Sequence, residues 1–144
     1  MFATIPSITP SLLTFVNVRS PAFRYARSLM QAFKLDLDKL PISTENVSVY
    51  QPKGKLILET VSEAIQKLRA DTTPHMILDL SSVNYLDSAG VGSLVSLFVN
   101  RRSNGRTFAL AALTQQSSAV VTVAGLQNLL PVYKTLDEAL AKKP

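Results

Sequence analysis

The chain has 144 residues, 47% of them apolar, which is enough for one hydrophobic core and requires no second domain. It contains no cysteine and a single histidine, His75, which excludes disulfides, cysteine-based zinc sites and a histidine cluster. The net charge of +5 is uneven, because residues 1–35 hold four basic and no acidic residues while the remainder holds 11 basic and 10 acidic ones. The nearly neutral remainder has no basic stripe, so direct binding of nucleic acid is not expected.

Residues 1–40 are predicted to be an N-terminal extension that is either partly disordered or a short amphipathic helix. Ser20-Pro21 is typical of a helix start. Beyond it, apolar and polar side chains would occupy opposite sides of the helix, with Phe23, Ala26, Leu29, Met30 and Phe33 on one and Arg24, Arg27, Gln31 and Lys34 on the other. This extension could make peripheral contact with an anionic membrane or dock on a partner. The apolar run at residues 12–18 is too short to cross a bilayer, so no transmembrane segment is predicted.

After residue 41 the pattern predicts the order strand, strand, helix, strand, helix, strand, helix, strand, helix. The first helix covers residues 59–69, with Val61, Ala64, Ile65 and Leu68 facing inward. A nearly continuous apolar run from Met76, resuming at Tyr85 and Leu86, indicates a buried parallel strand. Alternating strands and helices of this length predict an α/β fold with parallel pairs and right-handed crossovers.

Asp87-Ser88-Ala89-Gly90 follows this strand and begins a helix. The helix is indicated by one apolar stripe, made of Val91, Leu94, Val95 and Phe98. Either Asp87 or Ser88 would be the N-cap, and a helix N-terminus at Ser88 would accommodate a phosphate well. Capping alone would also explain these residue types, so the motif acquires a function only from its context.

The C-terminal third repeats the alternation. A turn at Asn104-Gly105 precedes a covered strand at residues 107–113, and a helix at residues 116–124 ends at Gly125. Thr135 and Glu138 have the spacing of a capping box, which predicts a last helix beginning at Thr135.

Taken in order, four segments resemble the STAS domain, a module shared by bacterial anti-sigma factor antagonists and the cytoplasmic tails of sulfate-permease transporters. The segments are VSVYQPKGKL at 47–56, ILDLSSVNYLDSAGVGSL at 77–94, the strand at 107–113, and Ala124-Gly125-Leu126 followed by residues 130–133. The resemblance implies a STAS domain over residues 41–144, with a mixed β-sheet, flanking α-helices and a first hairpin within residues 47–56.

In the antagonists, the residue after the aspartate of this motif is phosphorylated by an anti-sigma factor that is a serine kinase. The resemblance therefore implies phosphorylation at Ser88 and a partner-binding surface formed by Asp87, Ser88, Ala89, Gly90, Val91 and Gly92. It also implies a cytoplasmic, non-enzymatic regulator of transcription that binds the kinase when unphosphorylated and is reset by a phosphatase. Two features leave open a phosphorylation-independent scaffold or transporter-associated module. They are Pro52 and the lack of the aspartate that many antagonists carry soon after the position of Leu56, which here is followed by Ile57, Leu58 and Glu59.

Enzymatic motifs are incomplete. Gly90-Val91-Gly92 does not extend to a dinucleotide-binding G-x-G-x-x-G, because Val95 occupies the third glycine position. Ser88 does not lie in G-x-S-x-G, and His75 is interpreted as a turn residue before the strand. No catalytic residue, metal site or cofactor is predicted. Asp87 has two open interpretations, as a helix cap or as a group that orients the Ser88 hydroxyl or helps to hold magnesium during phosphate transfer.

Overall fold

The computed structural model of the protein describes residues 20–25 and 35–142. Residues 20–25 belong to a unit that is separate from the sheet domain. Within it residues 21–25 are helical, and the Ser20 hydroxyl accepts a hydrogen bond from the backbone N–H of Phe23 at 3.1 Å. The predicted helix start at Ser20 is thus confirmed, whereas residues 26–34 of the predicted amphipathic helix lie outside the described residues.

The sheet domain contains a six-stranded mixed sheet. Its order is β1-β2-β3-β5-β6, and β4 pairs with β2 off this path. The pair β1–β2 is antiparallel and the other pairs are parallel. The strands are β1 Leu35–Lys39, β2 Val47–Leu56, β3 His75–Asp79, β4 Val83–Leu86, β5 Thr107–Ala111 and β6 Val132–Tyr133. The predicted α/β fold, a mixed sheet with flanking helices, is confirmed.

The prediction of a hairpin within residues 47–56 is wrong. These ten residues form the single strand β2, and Gly54, at φ +123°, marks a register shift in the pairing with β4 rather than a turn. The hairpin instead joins β1 to β2, and the boundary expected at residues 40/41 falls between these two strands. The order after residue 41 is therefore strand, helix, strand, strand, helix, strand, helix, strand, helix.

Helices cover both faces of the sheet. They are α1 Val61–Ala70, α2 Ser88–Ser103, α3 Gln115–Val123 and α4 Leu136–Ala141, with a short 3-10 turn at Leu126–Asn128. Met76 and Leu78 belong to the larger buried cluster with side chains of α1, α2 and α3. Ile77, which alternates with them on β3, packs in a second cluster with Ala139 of α4. Strands buried on both faces explain the continuous apolar run in the sequence.

The buried stripe of α2 differs in part from the predicted one. Val91 and Leu94 are buried as expected, whereas Val95 and Phe98 are only half-buried. The full set of buried α2 residues is Gly90, Val91, Leu94, Leu97 and Arg101. Arg101 was missed because a charged residue is not expected inside, although this one is 1% exposed. Its guanidinium donates to the carbonyl oxygens of Thr107, Asp71 and Thr73, which stabilises the C-terminal end of α2.

The remaining helix predictions are largely confirmed. Helix α1 begins at Val61, two residues later than predicted, and α3 is followed by Gly125 at φ +71°. Thr135 is the N-cap of α4, and its hydroxyl accepts the N–H of Glu138 at 3.1 Å. The Glu138 carboxylate accepts the N–H of Lys134, so the reciprocal bond of the capping box is shifted by one residue.

Candidate functional site

Asp87 determines where α2 begins. It lies between β4 and α2 in an extended conformation, and one carboxylate oxygen accepts the N–H of Gly90 at 2.8 Å. The other oxygen accepts the N–H of Leu58 at 3.3 Å, in the loop after β2. The structure therefore assigns the cap to Asp87, and Ser88 becomes the first residue of the helix. The same carboxylate ties the start of α2 to the loop after β2.

Ser88 presents its side chain to solvent. The residue is exposed, and no described residue forms a hydrogen bond with its hydroxyl. The first turn of a helix carries unpaired N–H groups and a partial positive charge, which stabilise an anion there. A group added to this hydroxyl would thus break no hydrogen bond of the described fold.

The two glycines of the motif have different roles. A Cβ at Gly90 would collide with the carbonyl oxygen of Leu56 and lie 2.6 Å from Cδ1 of Leu86, so glycine permits α2 to pack closely on β2 and β4. A Cβ at Gly92 would meet nothing within 4 Å. Gly92 lies one helical turn after Ser88 and is exposed, so it leaves the surface beside the hydroxyl open.

Gln116 connects α3 to the end of β4. Its side-chain oxygen accepts the N–H of Leu86 at 2.9 Å, and its side-chain nitrogen donates to the carbonyl of Leu86 at 3.0 Å. The amide group thereby satisfies both backbone groups of the last β4 residue, as a neighbouring strand would. The sequence interpretation missed Gln116 as a positioning residue, because nothing local signals a partner 30 residues away.

An apolar groove of about 390 Å³ lies beside Ser88. Val91 of α2 lines it together with Ala119, Val120 and Val123 of α3 and with Ala124, which follows α3. Val123 is 89% exposed, and Leu58, whose N–H is held by Asp87, is 68% exposed. In the described part of the chain, an exposed apolar side chain therefore lines the groove beside the hydroxyl and another lies in the loop bonded to Asp87. Exposed apolar side chains of this kind are typical of a protein-binding surface. The partner-binding surface implied by the resemblance covers residues 87–92 alone and does not include these groove residues of α3.

His75 makes no contact with the Ser88 hydroxyl. It is the first residue of β3 rather than part of the preceding turn, and its Nδ1 lies 2.8 Å from the Thr107 hydroxyl. The described part of the chain holds no group of three or more His, Cys, Asp or Glu side chains arranged for a metal ion. Within that same part, no helix combines the length and apolar character needed to span a membrane.

Comparison with known proteins identifies relatives of this chain. The family model for the STAS domain matches residues 42–139. A protein of Thermotoga neapolitana, described as a homologue of the anti-sigma factor antagonist TM1081, is 31% identical over 65 residues. That match covers 45% of this chain and 58% of the relative, which is less than two thirds of its length.

Solved structures share the fold. An anti-sigma factor antagonist of Mycobacterium paratuberculosis is 26% identical with a TM-score of 0.62, over 74% of this chain and 92% of that one. The antagonist SpoIIAA in its unphosphorylated form is 18% identical with a TM-score of 0.61, over 74% and 93%. The murine anion transporter Slc26a9 is 17% identical with a TM-score of 0.68, over 83% of this chain but 24% of the transporter chain. The family model matches well over half of the length of this chain, and the chain therefore belongs to the STAS domain family.

Proposed function

We propose that this chain is an anti-sigma factor antagonist that is controlled by phosphorylation of Ser88. In its unphosphorylated form it captures, in the cytoplasm, an anti-sigma factor that is also a serine kinase, and capture releases the sigma factor for transcription. The similarity to proteins described as anti-sigma factor antagonists supports the proposal. The observation that carries it is the exposed Ser88 hydroxyl, to which no described residue is hydrogen-bonded, at a helix N-terminus beside an apolar groove.

The partner would dock over Ser88 and the groove. Burial of Val123, Val120 and Leu58 would supply apolar contact area, and the open surface at Gly92 would let the partner approach the hydroxyl. The kinase supplies ATP, magnesium and the base that accepts the hydroxyl proton. The Ser88 oxygen bonds to the γ-phosphorus as the bond to ADP breaks, so this chain is the acceptor and not the enzyme.

Phosphate would switch binding through its charge. It adds about −1.5 to −2 charges at neutral pH, beside the carboxylate of Asp87. The N-terminus of α2 tolerates this charge in the free protein, because water solvates the exposed phosphate. In the complex the dianion must be desolvated, and an unpaired charge in an interface costs about 2–5 kcal/mol. This corresponds to roughly 30-fold to several-thousand-fold weaker binding, which is enough for a switch without a change of fold. A phosphatase would restore the binding form.

The test is to incubate the protein with candidate anti-sigma kinases and ATP and to locate phosphate by mass spectrometry. We expect one phosphate on Ser88, none on Ser88→Ala, and capture of the kinase by Ser88→Ala but not by Ser88→Asp. Ser118→Ala and Ser118→Asp are matched controls, because Ser118 is an exposed helical serine outside the groove and should change neither result. Phosphate on a different residue, or equal capture by the two Ser88 variants, would contradict the proposal.

A second candidate function is a transporter-associated or scaffold module that works without phosphorylation. The likeness to the fold within Slc26a9 favours it, as do Pro52 and the absence of an aspartate soon after Leu56. It predicts binding to a transporter or an anionic liposome that depends on residues 1–35. Ser88→Asp would leave that binding unchanged, which distinguishes this function from the first.

A further inference from the structure

A pocket of about 260 Å³ lies at the exposed edge of β5, and it shares no lining residue with the groove beside Ser88. Strand β6 pairs with β5 only at Leu110 and Ala111. Over the part of the chain that the structure describes, residues 107–109 of β5 therefore have a paired strand on the β3 side alone. Among the lining side chains are Ile77, Phe98, Ala109 and Ala139.

Two arginines also line this pocket. Arg102 comes from the last turn of α2 and is exposed, and Arg106 precedes β5 and is half-buried. No described acid forms an ion pair with either guanidinium, and no acidic side chain is among the described residues that line the pocket. Two unpaired guanidinium groups favour an anion, and their planar donors match a carboxylate. The C-terminal end of α2 does not itself attract anions, so recognition would rest on the arginines.

The remainder of the pocket favours a hydrocarbon. Apart from the arginines, its polar side chains are His75, Thr107 and Tyr133, and the first two are already hydrogen-bonded to each other. A nucleobase or sugar would bring donors and acceptors that this lining leaves unpaired, at a cost in free energy. A saturated chain brings none. The volume is below the roughly 300–1,000 Å³ of pockets for drug-sized ligands, which limits the chain to a medium length.

We propose that this pocket binds a medium-chain aliphatic carboxylate. Its carboxylate contacts Arg102 and Arg106, and its chain lies against Phe98, Ala109 and Ala139. The site makes the STAS domain a receptor for a small amphiphilic anion, independently of whether Ser88 is phosphorylated.

The experiment is a titration of the full chain with octanoate, followed by NMR of the Ile77 and Ala109 methyl groups. We expect saturable shifts at these methyls. Octanol, which has the same chain without the charge, should bind at least about tenfold more weakly, since a charged hydrogen bond is lost. Acetate and octylammonium should not saturate the site. Octanol binding as tightly as octanoate would overturn the proposal, and so would shifts confined to other residues.

Variants test the two halves of the site separately. Replacing both Arg102 and Arg106 by Gln should weaken octanoate binding at least about tenfold. Ala109→Leu should fill the pocket and abolish binding, whereas Arg69→Gln, which removes an arginine outside the pocket, should leave it unchanged. Unchanged affinity in the double arginine variant would contradict the proposal. Arginine-dependent binding to phosphatidylglycerol vesicles without binding of monomeric octanoate would also contradict it, because the ligand would then be a membrane surface.

Discussion

Replacing Asp87 by Ala is expected to destabilise the protein by about 1.5–2 kcal/mol. Loss of an N-cap typically costs about 1 kcal/mol, and here the cap accepts the Gly90 N–H at 2.8 Å. The second bond, to the Leu58 N–H, is long at 3.3 Å and lies at an exposed residue, so we assign it about 0.5–1 kcal/mol. At about 4 °C per kcal/mol for a domain of this size, the melting temperature should fall by about 6–8 °C.

Asp87→Asn separates the cap from the charge. Its single carbonyl oxygen can still accept the Gly90 N–H, but its NH₂ group would face the Leu58 N–H and lose that bond. We expect a loss of about 0.5–1 kcal/mol, measured by urea unfolding beside the Ala variant. A melting temperature for Asp87→Ala equal to that of the wild type would refute this reasoning, and so would an Asn variant less stable than the Ala variant.

The two Asp87 variants also decide between the two interpretations of this residue. Both carboxylate oxygens are bonded to backbone N–H groups, so the structure favours a structural cap over a magnesium ligand. We therefore expect the proposed anti-sigma kinase to phosphorylate Asp87→Asn within a few-fold of the wild-type rate. A folded Asn variant that accepts no phosphate would show that the charge itself is required.

Four further variants test other parts of the fold. Gly90→Ala should lower the urea midpoint strongly because its Cβ meets backbone, whereas Gly92→Ala should keep or raise it and instead weaken capture of the kinase in a pull-down. Arg101→Met should cost about 3 kcal/mol or more in urea unfolding, because three partly buried carbonyl groups lose their donor. Although burial raises the pKa of Asp71, hydrogen bonds from Thr73 and Tyr50 and the charge of Lys39 outweigh it and hold that pKa below its usual value. The resulting stabilisation is present above the unfolded pKa of about 3.9 and is lost as the pH falls through the lower folded value. In thermal melts, the melting temperature of Asp71→Asn should therefore fall less steeply at acid pH than that of the wild type.

The features that the sequence predicted well are local. The start of α2, the glycine after α3 and the cap at Thr135 each depend on residues within about one helical turn of each other.

The features that were mispredicted or missed depend on distant partners. Gly54 is typical of a turn, but here it continues β2 from the pairing with β3 to the pairing with β4. Pro52 falls between those two pairings, which is where a strand tolerates a residue without an N–H. Arg101 is buried only because three carbonyl groups point toward it, two from the loop after α1 and one from the first residue of β5. No local pattern encodes such arrangements.

The Gln116 amide has a mechanical consequence for the groove. One wall of the groove belongs to α3 and the other to α2, which directly follows β4. Because a single side chain carries both hydrogen bonds between α3 and Leu86, one rotamer change would release them together. A partner that wedges these walls apart would then be visible as faster deuterium uptake at one amide, that of Leu86, far earlier than any unfolding of the sheet.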